Sequence, residues 1–127
     1  MFKTLRVTWL CALPALLDVS LAAADSGWHY TIGEPTHAQQ ANFCASREGA
    51  QEIAGIFDRF GPRAGYAALA GSPDCAVAVR SFTPRRLLTS VTISEGKPGE
   101  YQVRFVEVED HEGGQTYLVT TRAVQTE

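Results

Sequence analysis

Five acidic or imidazole side chains fall between positions 107 and 112: Glu107, Glu109, Asp110, His111 and Glu112. Carboxylates gathered this closely are the raw material for binding a divalent cation or a basic partner. A calcium loop of the EF-hand kind needs oxygen ligands at alternating positions, closed by a distant bidentate glutamate. That spacing is absent. The cluster reads instead as a solvated hairpin tip and a charged strand edge, which also discourages edge-to-edge pairing. A second group is basic. Arg80, Arg85 and Arg86 surround the Thr83-Pro84 dipeptide, and guanidinium groups suit carboxylate or phosphate recognition. Arg80, Arg85 and Arg86, with Asp110, His111 and Glu112, are therefore the expected partner-binding residues. Opposite charges at different ends of the molecule would favour docking or self-association over catalysis.

The remaining reactive side chains form no recognisable constellation. His29, His37 and His111 are the only histidines, and a metal site needs three or four converging ligands. Nothing in their spacing makes them converge, so no metal and no cofactor is expected. No GxSxG elbow surrounds any serine, and the glycine-rich stretches lack the lysine of a phosphate loop. Trp28, Tyr30, Tyr66 and Tyr101 have spacings that suit a core better than a pocket lining. For a small hydrolase or isomerase, Glu52, Asp58 and Glu107 are the carboxylates that a pocket between helix and sheet would have to bury.

The cysteines bear on compartment. The chain has 127 residues, three of them cysteines. Its first 24 residues resemble a secretory signal: Lys3 and Arg6 precede an apolar run at 7–17, and Ala22, Ala23 and Ala24 offer small residues for cleavage. That run is far short of the roughly 20 residues that span a bilayer. Asp18 is unusual so soon after it. Bulky residues before Cys11 fit a lipid-attachment site poorly. Cleavage after Ala24 would remove Cys11 and leave Cys44 and Cys75, an even pair that forms a disulfide in an oxidising compartment. It would also leave 9 basic against 13 acidic residues, a net charge of −4. Such a domain is a poor candidate for non-specific nucleic-acid binding, which depends on neutralising phosphates.

Elements that would position these side chains follow from period and punctuation. Residues 28–32 alternate as a short strand, stopped by Gly33-Glu34-Pro35. Residues 36–42 are polar and read as a loop or a frayed helical turn. Ser46 suits an N-cap, and Ala50, Ile53, Ala54, Phe57 and Phe60 form one helical stripe. Gly49 and Gly55 either weaken that helix or let a neighbour approach closely. Gly61-Pro62 ends it and starts a second helix over 63–70. Beyond Cys75 the period becomes two, with strands at 75–82, 87–94, 101–109 and 117–124. A turn at 83–86, a loop at 95–100 and a hairpin at 111–114 separate them. In the third of these strands the apolar positions shift from odd to even after Phe105, which predicts a β-bulge near that residue.

The predicted order is β-α-α-β-β-β-β, an α+β domain over 25–127 with a helical hairpin packed on a curved four- to five-stranded antiparallel sheet. The Cys44–Cys75 bridge is expected to pin the helical layer to that sheet. This order is similar in topology to cystatin-like and NTF2-like rolls, with a small SH3-like barrel as the alternative. Fold similarity does not fix function. The reading is a periplasmic or secreted, non-enzymatic binding module with a protein partner, no nucleic acid and no stable membrane insertion. The alternative is the small hydrolase or isomerase described above.

Overall fold

A computed structural model describes residues 28–94 and 99–126. The expected signal at 1–24 and part of the expected loop at 95–100 lie outside the described residues. The elements are β1 (His29–Thr31), β2 (Gln39–Cys44), α1 (Arg47–Phe60), α2 (Pro62–Gly71), β3 (Cys75–Arg80), β4 (Phe82–Ser94), β5 (Glu100–Asp110), β6 (Gln115–Thr120) and β7 (Ala123–Gln125). This is an α+β fold.

The helical hairpin forms as its punctuation dictates. Ser46 Oγ accepts a hydrogen bond from the Gly49 N–H at 3.0 Å, satisfying one of the unpaired donors of the first turn. Ala50, Ile53, Ala54 and Phe57 are the buried stripe of α1. Gly61, at φ 92°, stops the helix and donates its N–H to the Phe57 carbonyl at 3.0 Å. Such a φ favours glycine. Pro62 then opens α2 at a position where no intrahelical N–H is needed.

The main sheet is antiparallel, with strand order β3-β2-β6-β5-β4. It stays open, with β3 and β4 at opposite edges, so the strands do not close into the alternative small barrel. A separate two-stranded parallel ribbon joins β1 to β7. The segment read as a polar loop or frayed helical turn, 36–42, holds the first four residues of β2, a strand that lies between β6 and β3. Consequently only β4, β5 and β6 form a meander.

The sheet buries apolar side chains on both faces, at different positions along it. On one face α1 and α2 cover Val91, Ile93, Val103, Phe105, Tyr117 and Val119. On the other, Val106, Val108, Leu118, Phe43 and Phe82 pack with Tyr30 of the ribbon. This offset explains the apolar shift within β5. Its first half faces the helices through Val103 and Phe105, and its second half faces the ribbon through Val106 and Val108. No bulge in β5 is needed, since its register with β6 runs unbroken from Arg104↔Thr120 to Glu109↔Gln115. The irregularities lie in the neighbouring strand, where register shifts separate Pro84 from Arg86 and Leu87 from Thr89. The expected turn at 83–86 is thus the bulged first half of one long strand. Pro84 is tolerated there because β4 is an edge.

Cys44 and Cys75 are disulfide-bonded, with a Cα–Cα distance of 3.9 Å. The bridge differs from expectation in what it joins. Cys44 ends β2 and Cys75 begins β3, directly opposite each other, so it ties two neighbouring strands beneath the helical hairpin. The layers themselves are held by burial: Phe57 and Phe105 are 1% and 0% exposed, with ring centroids 6.1 Å apart. Burying side chains of this size contributes about 1.5–3 kcal/mol each.

Candidate functional site

The region expected to hold a pocket, between helix and sheet, is packed with side chains. Glu52 and Asp58 are exposed on α1. Glu107 is buried but neutralised: its Oε1 lies 3.0 Å from Arg86 Nη2 and 3.9 Å from Arg47 Nη2. These three carboxylates do not share a site.

The expected separation of charge is also not what the chain builds. Arg85 Nε donates to Glu109 Oε1 at 2.8 Å, and Arg86 pairs with Glu107 across the same two strands. Arg80 lies with Asp110, His111 and Glu112 around a shallow depression of about 390 Å³. Acidic and basic residues are therefore interleaved at one end of the sheet. Asp110 is largely committed to its own turn, accepting from the backbone N–H groups of Gly114 at 2.8 Å and Glu112 at 3.0 Å. The Gly114 bond, helped by Glu112, His111 and Arg80, holds its carboxyl below the ordinary aspartate value.

A larger cleft, of about 1120 Å³, opens elsewhere, between the parallel ribbon and the β2–β6 junction. Strand pairing explains its position. The Asp110 N–H donates to the Gly114 carbonyl at 2.9 Å, which identifies 110↔114 as a hydrogen-bonded rung of the β5–β6 hairpin. Backbone groups alternate in direction along an antiparallel strand. The odd residues of β6 therefore face β2, at Tyr117↔Cys44 and Val119↔Asn42. The next rung in that series would be Thr121↔Gln40. It does not form, because β6 ends at Thr120 and the chain bends into β7. Meanwhile β2 continues back to Gln39, paired on its other side with β3. The sheet forks at this point.

The side chains around the fork are aromatic and polar. The Tyr30 O–H donates to Gln39 Oε1 at 2.7 Å, and Gln39 Nε2 donates to the His37 carbonyl at 3.4 Å. Burial raises the Tyr30 pKa above 10.0, opposed by the Arg122 charge and a hydrogen bond with Thr120. The Arg122 guanidinium sits 4.0 Å from the Trp28 ring centroid. Trp28 and Tyr30 meet edge to face, 4.7 Å between centroids. His29, His37 and Glu34 also line the cleft. Two of the three histidines thus border one cleft. Among the described residues no three potential ligands are grouped to hold a metal. The Thr121 carbonyl accepts from Arg104 Nη1 at 3.4 Å.

Sequence reasoning places Trp28, Tyr30, Tyr66 and Tyr101 in a core. Tyr30 is there, at 3% exposure, while Trp28 is 42% exposed at the cleft. It missed Gln39, Gln40, Thr120 and Arg122 altogether, since the cleft exists only because distant segments fail to pair. Tyr66 and Tyr101 lie away from the cleft and outside the core as well, at 41% and 36% exposure. No helix among the described residues is long and apolar enough to cross a membrane. Comparison with protein families, curated proteins and solved structures returns no match for this chain.

Proposed function

We propose that the chain is an exported, non-enzymatic binding module that holds an extended segment of a partner protein in the fork between β2 and β6. The observation that carries this reading is the missing Thr121↔Gln40 rung. By alternation the N–H and C=O of Gln40 point away from β3 and into the cleft. A peptide laid there gains main-chain hydrogen bonds, the usual basis of strand addition. Trp28, Gln39 and Arg122 around the opening provide aromatic and polar contacts for its side chains. The filled helix–sheet interface and the pairing of Glu107 with arginines favour binding over the hydrolase or isomerase alternative.

Export rests on the bridge. A disulfide between Cys44 and Cys75 suits a periplasmic or secreted destination, since reducing compartments keep thiols free. Mass spectrometry of the natural product tests this part. The expected product begins at Asp25 and resists alkylation; a full-length chain with both thiols alkylated would overturn it.

Binding is tested by screening a library of extended peptides against the protein and against Gln40→Pro. That substitution removes one cleft-facing N–H and spares the rungs to β3. Binders should shift the amide resonances of Gln40 and Thr121, and the variant should lose at least about tenfold in affinity. Finding no binder, or binders indifferent to Gln40→Pro, would refute the fork as the binding site.

A further inference from the structure

The outer edge of β3 is a second surface, independent of the fork. The Ala45 N–H donates to the Asp74 carbonyl at 2.8 Å, in register with the β2–β3 ladder. That bond makes 45↔74 a hydrogen-bonded rung. Alternation then directs the backbone groups of Ala76, Ala78 and Arg80 toward β2, and those of Val77 and Val79 outward together with the Cys75 carbonyl; the Cys75 N–H donates to the Ser72 carbonyl at 3.3 Å. Val77 and Val79 are also 57% and 68% exposed. Edge strands are ordinarily blunted by lysine, proline, a bulge or brevity. Here residues 75–79 carry no charge and no proline, and the pairing with β2 runs without a break from Cys44↔Cys75 to Gln39↔Arg80.

We propose that β3 pairs antiparallel with β3 of a second copy of the chain, joining two five-stranded sheets into one. A two-fold axis perpendicular to the sheet keeps each face on its own side, so opposed residues must share the same face. Placing Val77 opposite Val77 meets this condition and makes the outward-facing residues the hydrogen-bonded rungs. Cys75 then opposes Val79, and Ala76 opposes Ala78. The next position outward sets Arg80 of each copy against Asp74 of the other. This charge complementarity selects a second copy over an arbitrary strand. The Arg80 guanidinium lies 5.2 Å from the Phe43 ring centroid; its Nε is buried, so the two Nη groups are the donors that would meet the neighbour's carboxylate. Asp74 offers its Oδ2 to the Ser46 N–H and Oγ within its own chain, and its charge remains available to the neighbour.

Light scattering or sedimentation across a dilution series tests the pairing, together with amide hydrogen exchange. The expected result is a dimer whose Val77 and Val79 amides are protected when concentrated and exchange quickly when diluted. Val77→Lys sets like charges face to face at the axis and should weaken dimerisation roughly tenfold or more. That side chain is exposed, so the melting temperature should hold. Arg80→Asp and Asp74→Lys should each dimerise poorly alone and recover when mixed, since mixing restores both opposite-charge pairs. A chain that stays monomeric at about 1 mM, the weak end of specific affinities, would overturn the proposal. So would a dimer indifferent to Val77→Lys.

Discussion

The Arg122 guanidinium covers the Trp28 ring at 4.0 Å, joining the segment before β1 to the bend that leads into β7. The ribbon behind this contact has only three residues in each strand. Two-stranded pairs of that size are marginal without further support. Some comes from the chain around β4: the Gly33 N–H donates to the Pro84 carbonyl and the Thr36 N–H to the Phe82 carbonyl, each at 2.8 Å.

Arg122→Ala should therefore loosen the ribbon without unfolding the sheet. A cation–π contact at a partly exposed site is worth about 0.5–1 kcal/mol, and the global loss should stay within that range. The local effect should be larger. The Ile32 N–H, which donates to the Gln125 carbonyl at 2.8 Å, should exchange faster with solvent. Amides of β5 should be unchanged, and hydrogen exchange by NMR reads both.

Tyr30 predicts a pH dependence beneath the same ribbon. Burial raises its folded pKa above the 10.0 of the unfolded chain. The folded state then holds its phenolic proton more tightly, so the associated stability is fully present below pH 10.0 and is lost as pH rises through the folded pKa. Tyr30→Phe removes this ionisation together with the bond to Gln39. The variant should be less stable near neutrality by about 1 kcal/mol, the usual worth of a buried hydrogen bond. It should also lose stability less steeply in alkali than the parent. Denaturant melts at several pH values above 9 check both slopes.

How much of this was legible in the sequence depends on how far apart the interacting parts lie. Ser46, Gly61 and Pro62 act on their immediate neighbours, and the helical hairpin they bound was readable from spacing. β2 was not. Its residues Gln39, Gln40, Ala41 and Asn42 show no apolar alternation, because the rungs beyond Asn42 face an open fork. β4 was read as two pieces because Pro84 and two register shifts disguise one edge strand. The apolar shift in β5 is visible in the sequence but suggests a bulge, since a single sequence does not tell which face is covered at each point. The cleft was invisible for a stronger reason: it is defined by Gln40 and Thr121 not pairing. The disulfide partners were legible from their number, but the strands they join were not.

Gly65 and Gly55 should respond in opposite directions to alanine. Gly65 is buried in α2, and a Cβ there would run into the Phe57 ring of α1. Phe57 is 1% exposed and packed against Tyr66 and Phe105, so it has little room to yield. Gly65→Ala should cost about 1–3 kcal/mol through overpacking. At Gly55 a Cβ would meet only Arg59 Nη2, at 3.5 Å. Gly55→Ala should therefore add up to about 1 kcal/mol from helix propensity. Thermal melts of the two variants beside the parent would show the contrast. Equal effects would mean that the helical hairpin packs differently.

Reduction of the Cys44–Cys75 bond tests how far the fold relies on its covalent tie. The bond spans a sequence separation of 31 and encloses both helices. On the loop-entropy estimate it stabilises by about 3–4 kcal/mol. The mechanism acts mainly on the unfolded chain. The folded strands are already paired on either side of the bridge, at Phe43↔Ala76 and Ala45↔Asp74. The reduced protein should consequently keep its native amide spectrum at 25 °C while melting roughly 10–25 °C lower. Both half-cystines are buried, Cys44 at 0% and Cys75 at 8% exposure, so mild reductant should act slowly unless the chain is first loosened by denaturant. A spectrum that collapses on reduction would show that the tie also holds the native β2–β3 pairing, and with it the edge and the fork.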